Sequence, residues 1–342
     1  MAVRVVVRRS NARAVRSARA GTNGRKLDMP WLYIILISYL ILSISNLIDK
    51  IFLSKIVTQS IVYAIWVSIL SIVVVILLAI DVGLNQAAGG HASLFGELTW
   101  MDPWFVMVSF FLGILFTLAI YLLYSALQRG EASRVIPLIG GSMPLLIYAM
   151  TFYYDPLDRK KLIAFVFLVA GTVLISLTPR DSRKKNKTRA VSLAIGASLS
   201  FALYFVLTQY LFRQQGFVNG LVWPRLGSAF VVLLLFFNKH IRTMMVQSLQ
   251  PLSRKMRGTW LANQALGALG FVGQQYVISI PGVSVALISA LQSMQYVFIL
   301  LFASSLSFFK PQLLREYISP AIIVQKLLAL AFIAVGLYFV SV

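Results

Sequence analysis

The chain has 342 residues, of which 59% are hydrophobic and 12% are charged, with a formal net charge of +21 and no cysteine. In soluble domains about a quarter of the residues are charged. This composition, with a mean hydropathy of +0.84, therefore excludes a soluble globule and predicts an integral membrane protein. The absence of cysteine excludes disulfide and thiolate chemistry. The basic residues concentrate at the ends of apolar segments, where they orient a membrane protein and meet anionic lipid headgroups, and so do not indicate a nucleic-acid partner.

The first 29 residues precede the first apolar segment and are strongly basic. They lack the apolar core of a secretory signal peptide. Three interpretations stay open: an incorrectly assigned start, with Met29 as the true first residue; a disordered basic tail; or an organelle-targeting segment. Residues 1–29 are therefore left out of the predicted fold.

Ten apolar segments follow, each close to the roughly 20 residues needed to cross a hydrocarbon core about 30 Å thick. They are predicted to be helices, because a segment alone in lipid must satisfy its own backbone hydrogen bonds. The predicted spans are residues 31–54, 60–80, 103–127, 132–153, 161–178, 190–212, 217–237, 260–279, 282–308 and 321–341.

The ten spans are predicted to form an all-α membrane protein of two inverted five-helix repeats, residues 30–178 and 190–342, joined by a basic linker, residues 179–189. Because five is odd, the second repeat starts from the opposite face of the bilayer, which suits alternating access at the interface between repeats. The landmark residues that pair between the halves are Trp66 with Trp223, Ser71 with Ser228, Ser133 with Ser284, Pro144 with Gln295, and Gly171 with Gly336.

The charge distribution predicts the orientation, and two interpretations of it stay open. The odd-numbered loops carry most of the lysine and arginine, above all the linker 179–189 and the segment 239–257. By the positive-inside rule these loops face the cytoplasm, which puts both termini outside. The basic residues 1–29 favour the reverse, a conflict that disappears if Met29 is the first residue.

A charged turn is predicted between the third and fourth spans, within the stretch ALQRGEASRVIPLIGGSMP (126–144). Arg129 and Glu131 are expected near the interface, and Arg134 begins the next helix, from which a long side chain can reach water. The paired glycines favour close helix packing. The stretch is either a turn before a packed helix, or Arg134 and the proline-kinked fourth helix border a substrate cavity.

The sequence YSALQRGEASRVIPLIGGSMPLLIYAMTFYYDPL, followed by FLVAGTVLIS, resembles the closing half of an EamA-type repeat of the drug/metabolite transporter superfamily. The resemblance covers residues 30–342. The stretches MPWLYIILISYLILSISNLIDK (29–50) and EASRVIPLIGG (131–141) are similar to a bacterial subgroup of transporters of unassigned substrate. The resemblance implies two inverted five-helix repeats around a central cavity, and cytoplasmic termini, which opposes the loop charges. Its landmarks are Ala126-Leu127, Ala132-Ser133, Pro144 and Gly171, whereas Asp155 stands where glutamate is usual and Gln295 where proline is common.

Ionisable and polar residues at membrane depth are costly, so each is a candidate site residue. Asn46 and Asp49 lie either at an interfacial helix end or facing a cavity, where Asp49 takes up protons or a cationic group. Arg225, inside the seventh span, either reaches the near interface or holds a carboxylate or phosphate. Trp223 beside it suggests an aromatic wall, and Trp66 is its counterpart on the opposite side.

Side-chain amides are the other candidates for substrate binding. They either hydrogen-bond helices to one another or bind a neutral polar substrate. The amides are Asn263, Gln264, Gln274, Gln275, Gln292 and Gln295. Glycines at positions 267, 270 and 273 give the eighth span a close-packing or sliding face. The tyrosines that are candidates for cavity walls are Tyr121, Tyr124, Tyr148, Tyr204, Tyr276 and Tyr296.

These patterns favour a secondary transporter that moves a small organic solute or metabolite by alternating access. No nucleotide-binding motif occurs, so ATP drive is not expected, and no cofactor or metal site is expected, because His91 and His240 lie in predicted loops. The alternatives are a flippase for a lipid-linked substrate or a membrane enzyme acting on one, although the converging acids or histidines of an enzyme are missing. The expected partners are a small-molecule substrate and the bilayer of the cell (inner) membrane, with a homodimer left open.

Overall fold

The computed structural model describes residues 30–55, 59–69, 80, 83, 98–130, 132–176, 187–249, 253–309 and 320–342. These residues form helices and no strand, which confirms the all-α class. By its internal contacts the chain divides after Tyr33, and the unit Ile34–Val342 contains nearly all of the described residues. The basic segment 1–29, most of the linker, Ser71, His91 and Glu131 lie outside the described residues.

In chain order the helices of the described residues are α1 (Pro30–Lys55), α2 (Ser60–Ile69), α3 (Pro103–Arg129), α4 (Ala132–Thr151), α5 (Arg159–Ser176), α6 (Lys187–Phe236), α7 (Lys239–Leu249), α8 (Arg254–Ser279), α9 (Val285–Leu291), α10 (Ser293–Phe309) and α11 (Pro320–Ser341).

Five helical stretches among the described residues are long and apolar enough to cross a membrane. They are Pro30–Asp49, Pro103–Arg129, Thr188–Phe236, Val285–Phe302 and Ile323–Ser341. Two shorter apolar helices, Ser60–Ile69 and Leu138–Thr151, accompany them. Length and composition therefore support a membrane-embedded protein.

Helix α6 divides into two arms at Gly216. Its 50 residues correspond to about 75 Å at the α-helical rise, more than twice the thickness of a hydrocarbon core. Gly216 has φ 76° and ψ 174°, a backbone conformation that glycine adopts without steric cost. The arms, residues 187–215 and 217–236, correspond to two of the spans expected from the sequence.

Glycines bring α3 close to the second arm of α6. A Cβ atom at Gly113 would lie 2.7 Å from the carbonyl oxygen of Pro224, and one at Gly227 would lie 2.7 Å from the Cα atom of Phe110. The Ser228 hydroxyl lies 3.2 Å from the carbonyl oxygen of Gly113 and donates to it. Only residues without a side chain permit this approach of two helix backbones.

The glycine face expected in α8 packs on α1. A Cβ atom at Gly267 would lie 2.7 Å from Ser45 Oγ, and one at Gly270 would lie 3.0 Å from the carbonyl oxygen of Ser38. Ser45 Oγ donates to the carbonyl oxygen of Asn263 at 3.3 Å, and Asn263 Nδ2 donates to the carbonyl oxygen of Ser45 at 3.3 Å. The glycine spacing therefore marks a close helix contact, as predicted.

Helices α5 and α11 make a reciprocal contact through two glycines. A Cβ atom at Gly171 would lie 3.0 Å from the carbonyl oxygen of Ala329, and one at Gly336 would lie 3.1 Å from that of Ala164. Each glycine thus meets the backbone of the other helix seven residues before the partner glycine.

We predict that Gly113→Ala destabilises the protein, because the added methyl group meets the backbone of α6 and no side chain can move aside. Overpacking of this kind costs about 1–3 kcal/mol, and the melting temperature of the detergent-solubilised protein measures it. Gly196→Ala is the matched control, because its Cβ atom would lie 3.4 Å from Leu122 Cδ1, an ordinary contact. Equal melting temperatures for the two variants would contradict the close approach at Gly113.

Candidate binding cavity

A cavity of about 750 Å³ lies within the unit Ile34–Val342. This volume falls within the range of roughly 300–1,000 Å³ found for small-molecule sites. Its walls come from both halves of the sequence: α1, α2, α3 and α4 of the first half, and α6, α8 and α10 of the second. Much of the lining is apolar, including Leu42, Ile120, Leu123, Ile139, Met143, Phe201, Phe205 and Leu221.

A carboxylate lies on this wall at the end of the apolar stretch of α1. Asp49 Oδ1 accepts hydrogen bonds from the Tyr63 hydroxyl, from Asn263 Nδ2 at 2.7 Å and from Gln264 Nε2 at 3.0 Å. Asn46 is three residues before Asp49 on the same helix face and also lines the cavity. All three donors are uncharged, and no lysine or arginine of the described residues forms an ion pair with Asp49.

Aromatic rings pack around Tyr63, which donates a hydrogen bond to Asp49. The Tyr63 ring meets the Tyr124 ring edge-on, with centroids 4.7 Å apart, and Trp260 packs against both Tyr63 and Trp66. The Trp66 indole donates to Ser248 Oγ at 3.4 Å. This packing fixes the Tyr63 hydroxyl against the carboxylate.

Arg225, on the second arm of α6, is the cationic group of the cavity lining. Its side chain is 4% exposed, and its Nη2 atom donates to Tyr204 Oη at 3.3 Å. The guanidinium carbon lies 4.0 Å from the centroid of the Phe116 ring and 4.3 Å from that of Phe271. Cations over aromatic faces are attracted by the ring quadrupole, most strongly where water is excluded.

Amides line the cavity near α9 and α10. Gln292 Nε2 donates to Gln295 Oε1 at 3.2 Å, across the three-residue spacing that put both on one face. Gln274 Nε2 lies 3.5 Å from Tyr39 Oη, and that hydroxyl donates to the carbonyl oxygen of Ile288 at 2.6 Å. These amides therefore connect helices and also face the cavity.

The structure brings most of the sequence-predicted site residues together. Those that line the cavity are Asn46, Asp49, Arg225, Gln264, Gln274, Gln292 and Gln295. Gln275 is buried beside it and donates to Tyr204 Oη at 3.4 Å. The side chain of Arg134 lies outside the described residues.

The two tryptophans lie away from the cavity lining. Trp66 packs on Trp260, as described above, and Trp223 stacks edge-on with Trp100 and donates to the carbonyl oxygen of Thr99 at 3.4 Å. The pairing of Trp66 with Trp223 concerns equivalent positions in the two halves of the sequence. It does not determine the direction in which either ring points.

Sequence reasoning missed Tyr63, Phe116 and Phe271. Tyr63 lies three residues before Trp66, so the helical period placed both on neighbouring parts of one face, but only the tryptophan stood out. Nothing in the sequence distinguishes Phe116 and Phe271 from the other phenylalanines, because the chain has 23 of them and most lie in similar apolar segments. Of the proposed tyrosine walls, Tyr124 and Tyr296 line the cavity, and Tyr204 contacts Arg225.

Comparison with solved structures supports the fold. No protein-family model and no curated protein matches the chain. Among solved structures that match, a crystal structure whose name states no activity has 18% sequence identity and a TM-score of 0.59, covering 90% of this chain and 98% of its own. At that identity the likeness shows a shared fold alone.

We predict that Asp49→Ala lowers the melting temperature, because three donors lose the acceptor they share. Leaving one buried polar group unpaired costs about 1–3 kcal/mol, so the free energy of unfolding should fall by at least about that amount. Asp49→Asn keeps an acceptor oxygen and should lose less. Asp102→Ala is the control, because Asp102 is exposed and makes no side-chain cap hydrogen bond; equal losses at Asp49 and Asp102 would disprove the network.

Proposed function

We propose that this protein is a secondary transporter that moves a small organic solute across a membrane by alternating access. The observation that carries the proposal is a single cavity of about 750 Å³ where a carboxylate, a guanidinium and several amides converge from both halves of the chain. Polar groups among membrane-crossing helices are costly unless they serve a pathway or a site. A purely structural bundle has no need of such a collection around an open space.

The architecture in this proposal is ten spans in two inverted repeats, as in the EamA-type family. In it, α1 to α5 form the first repeat, and the two arms of α6, α8, α9 with α10, and α11 form the second. The reciprocal contact of Gly171 and Gly336 supports this, because a two-fold axis between equivalent helices generates such a contact. The matched solved structure fits a fold of this extent, since it covers nearly all of both chains.

A second similarity between the halves supports the repeat. The residues YLILS (39–43) in α1 match YFVLT (204–208) in the first arm of α6. The two tyrosines that begin these stretches both meet amides of α8: Gln274 reaches Tyr39 at 3.5 Å, and Gln275 reaches Tyr204 at 3.4 Å. Helix α8 thus contacts equivalent positions of both halves through adjacent residues.

Asp49 is the proposed proton carrier of the transport cycle. It lines the cavity, and its hydrogen-bond donors are all uncharged, so protonation breaks no ion pair. Protonation removes a negative charge from the cavity and weakens the hydrogen bonds that tie α1 to α2 and α8, because charge-assisted bonds are the stronger kind. Proton uptake is therefore linked to the contact between these helices.

A transport assay in proteoliposomes tests the proposal, with a metabolite panel and no nucleotide. The chain has no cysteine, so a single Ala268→Cys gives one reactive site on the cavity wall. We expect saturable flux that a methanethiosulfonate reagent abolishes in this variant by filling the cavity after folding. Leu269→Cys is the matched control, because Leu269 is adjacent in α8, is 65% exposed and does not line the cavity.

Two results would contradict the proposal. One is solute flux no greater than in protein-free liposomes for the whole panel. The other is flux that is unchanged by complete modification of Ala268→Cys, since an adduct on the cavity wall obstructs a solute that passes through the cavity.

We also predict that Asp49→Asn makes flux independent of an imposed pH gradient, because the amide cannot take up a proton in this range. The measurement is the flux at a series of gradients, with Asp102→Asn as the control that keeps the parent profile. An unchanged pH profile in Asp49→Asn would exclude Asp49 as the proton carrier.

A further inference from the structure

The guanidinium of Arg225 is buried in the bundle without an acidic partner among the described residues. The ion pairs found there are Lys161 with Asp158 and Arg213 with Asp155, all at half-buried or exposed positions. The carboxylate of Asp49 also faces the cavity, but its hydrogen bonds come from neutral donors. A buried charge left without a counter-charge is strongly unfavourable, so a ligand that supplies the counter-charge would be favoured here.

Most of the hydrogen-bonding capacity of Arg225 is unused. A guanidinium has five N–H donors in one plane, and the described residues provide one acceptor for them, Tyr204 Oη at 3.3 Å. The side chain lines the cavity. The remaining donors can therefore bind an acceptor that enters the cavity.

The aromatic contacts select how a ligand can approach Arg225. Phe116 and Phe271 lie over the guanidinium, with centroids 4.0 Å and 4.3 Å from its carbon atom. The two ring centroids are 5.6 Å apart, so the rings cover two adjoining sides of the guanidinium, and an incoming group meets the sides that are left open. A guanidinium presents pairs of parallel N–H donors, which match the two oxygens of a carboxylate or a phosphodiester.

The rest of the cavity sets the charge and character of the ligand. The single guanidinium of Arg225 can balance one negative charge on the ligand. A second negative charge would have no cationic partner in the lining and would be repelled by the Asp49 carboxylate. The walls next to Arg225 are apolar, with Phe205 and Leu221 among the lining residues. These surroundings fit an apolar body and disfavour a highly charged anion, because Arg225 is the one cationic side chain among the described lining residues.

We propose that Arg225 binds the acidic group of an organic monoanion with an apolar body. This is the solute class of the carrier proposed above, so the assignment rests on that proposed function in taking the cavity as the transport site. The two rings pack against the guanidinium, and its unused N–H donors receive the carboxylate or phosphodiester oxygens in bidentate form.

Equilibrium binding to the purified full-length protein in detergent tests this assignment without any transport step. Three probes share one carbon skeleton and differ in charge: 3-phenylpropanoate, 3-phenylpropanamide and 3-phenylpropylamine. We expect the carboxylate to bind about tenfold or more tightly than the amide or the amine, because only it forms charge-assisted bonds to Arg225. Dibutyl phosphate, a monoanionic phosphodiester, is the fourth probe, and the tighter of the two anions identifies the acidic group.

Variants of Arg225 separate binding from folding. Arg225→Met should lose about tenfold or more in affinity for the preferred anion, and Arg225→Lys should be intermediate, because it keeps the charge and loses the planar fork. Both should stay monodisperse, with melting temperatures near that of the parent, since a buried charge replaced by an apolar side chain is often neutral for stability. Arg213→Met is the matched control on the same helix: Arg213 lies at the exposed pair with Asp155 and does not line the cavity.

Binding of the amide or the amine as tight as that of both anions, or no binding of either anion, would overturn the assignment. The wild-type probe series decides this even if an Arg225 variant fails to fold. Failure here leaves the transporter proposal standing with a neutral or cationic solute. Conversely, anion-selective binding without any flux would count against transport and leave the Arg225 site intact.

Discussion

Hydrocarbon offers no hydrogen bonds and no counter-charges, and this constraint orders the whole molecule. Helices that cross a membrane turn apolar side chains outward, and each polar side chain must face protein or a water-filled space. In this chain the polar groups of distant segments meet at one place. Asp49 from α1 and Arg225 from α6 line the same cavity, together with amides of α8 and α10. These polar residues therefore meet around one cavity, because the lipid-facing surfaces of an apolar bundle do not tolerate them.

The helices around this space are held by backbone contact at glycines, because lipid-facing surfaces provide no hydrophobic driving force for helix association. Gly113 and Gly227 bring α3 against the second arm of α6, and α1 lies on the glycine face of α8. Both contacts border the cavity, since α1, α3, α6 and α8 all contribute to its lining. Smooth contacts of this kind fix helix spacing while offering few interlocking side chains, which suits helices that move against each other.

The sequence predicted the features that depend on local composition. Spans follow from apolar length, and the predicted spans 190–212 and 217–237 correspond to the two arms of α6 that meet at Gly216. Asp49 and Arg225 were recognisable because a charge in an apolar run is rare. The pairings were not predictable: that Tyr63 would donate to Asp49, or that Phe116 would cover the guanidinium, depends on the rotation of each helix about its axis. Apolar segments fix that rotation weakly, because nearly every face of such a helix is acceptable to lipid or protein.

In the proposed transport cycle the cavity opens alternately to the two sides of the membrane. The direct measurement is labelling of the single thiol of Ala268→Cys, in sealed proteoliposomes of one orientation, by a membrane-impermeant thiol reagent applied from each side in turn. We predict labelling from both sides, with a transported solute shifting the ratio of the two rates. Labelling from one side alone, unchanged by every solute, would contradict the account and indicate a fixed pocket instead of a carrier.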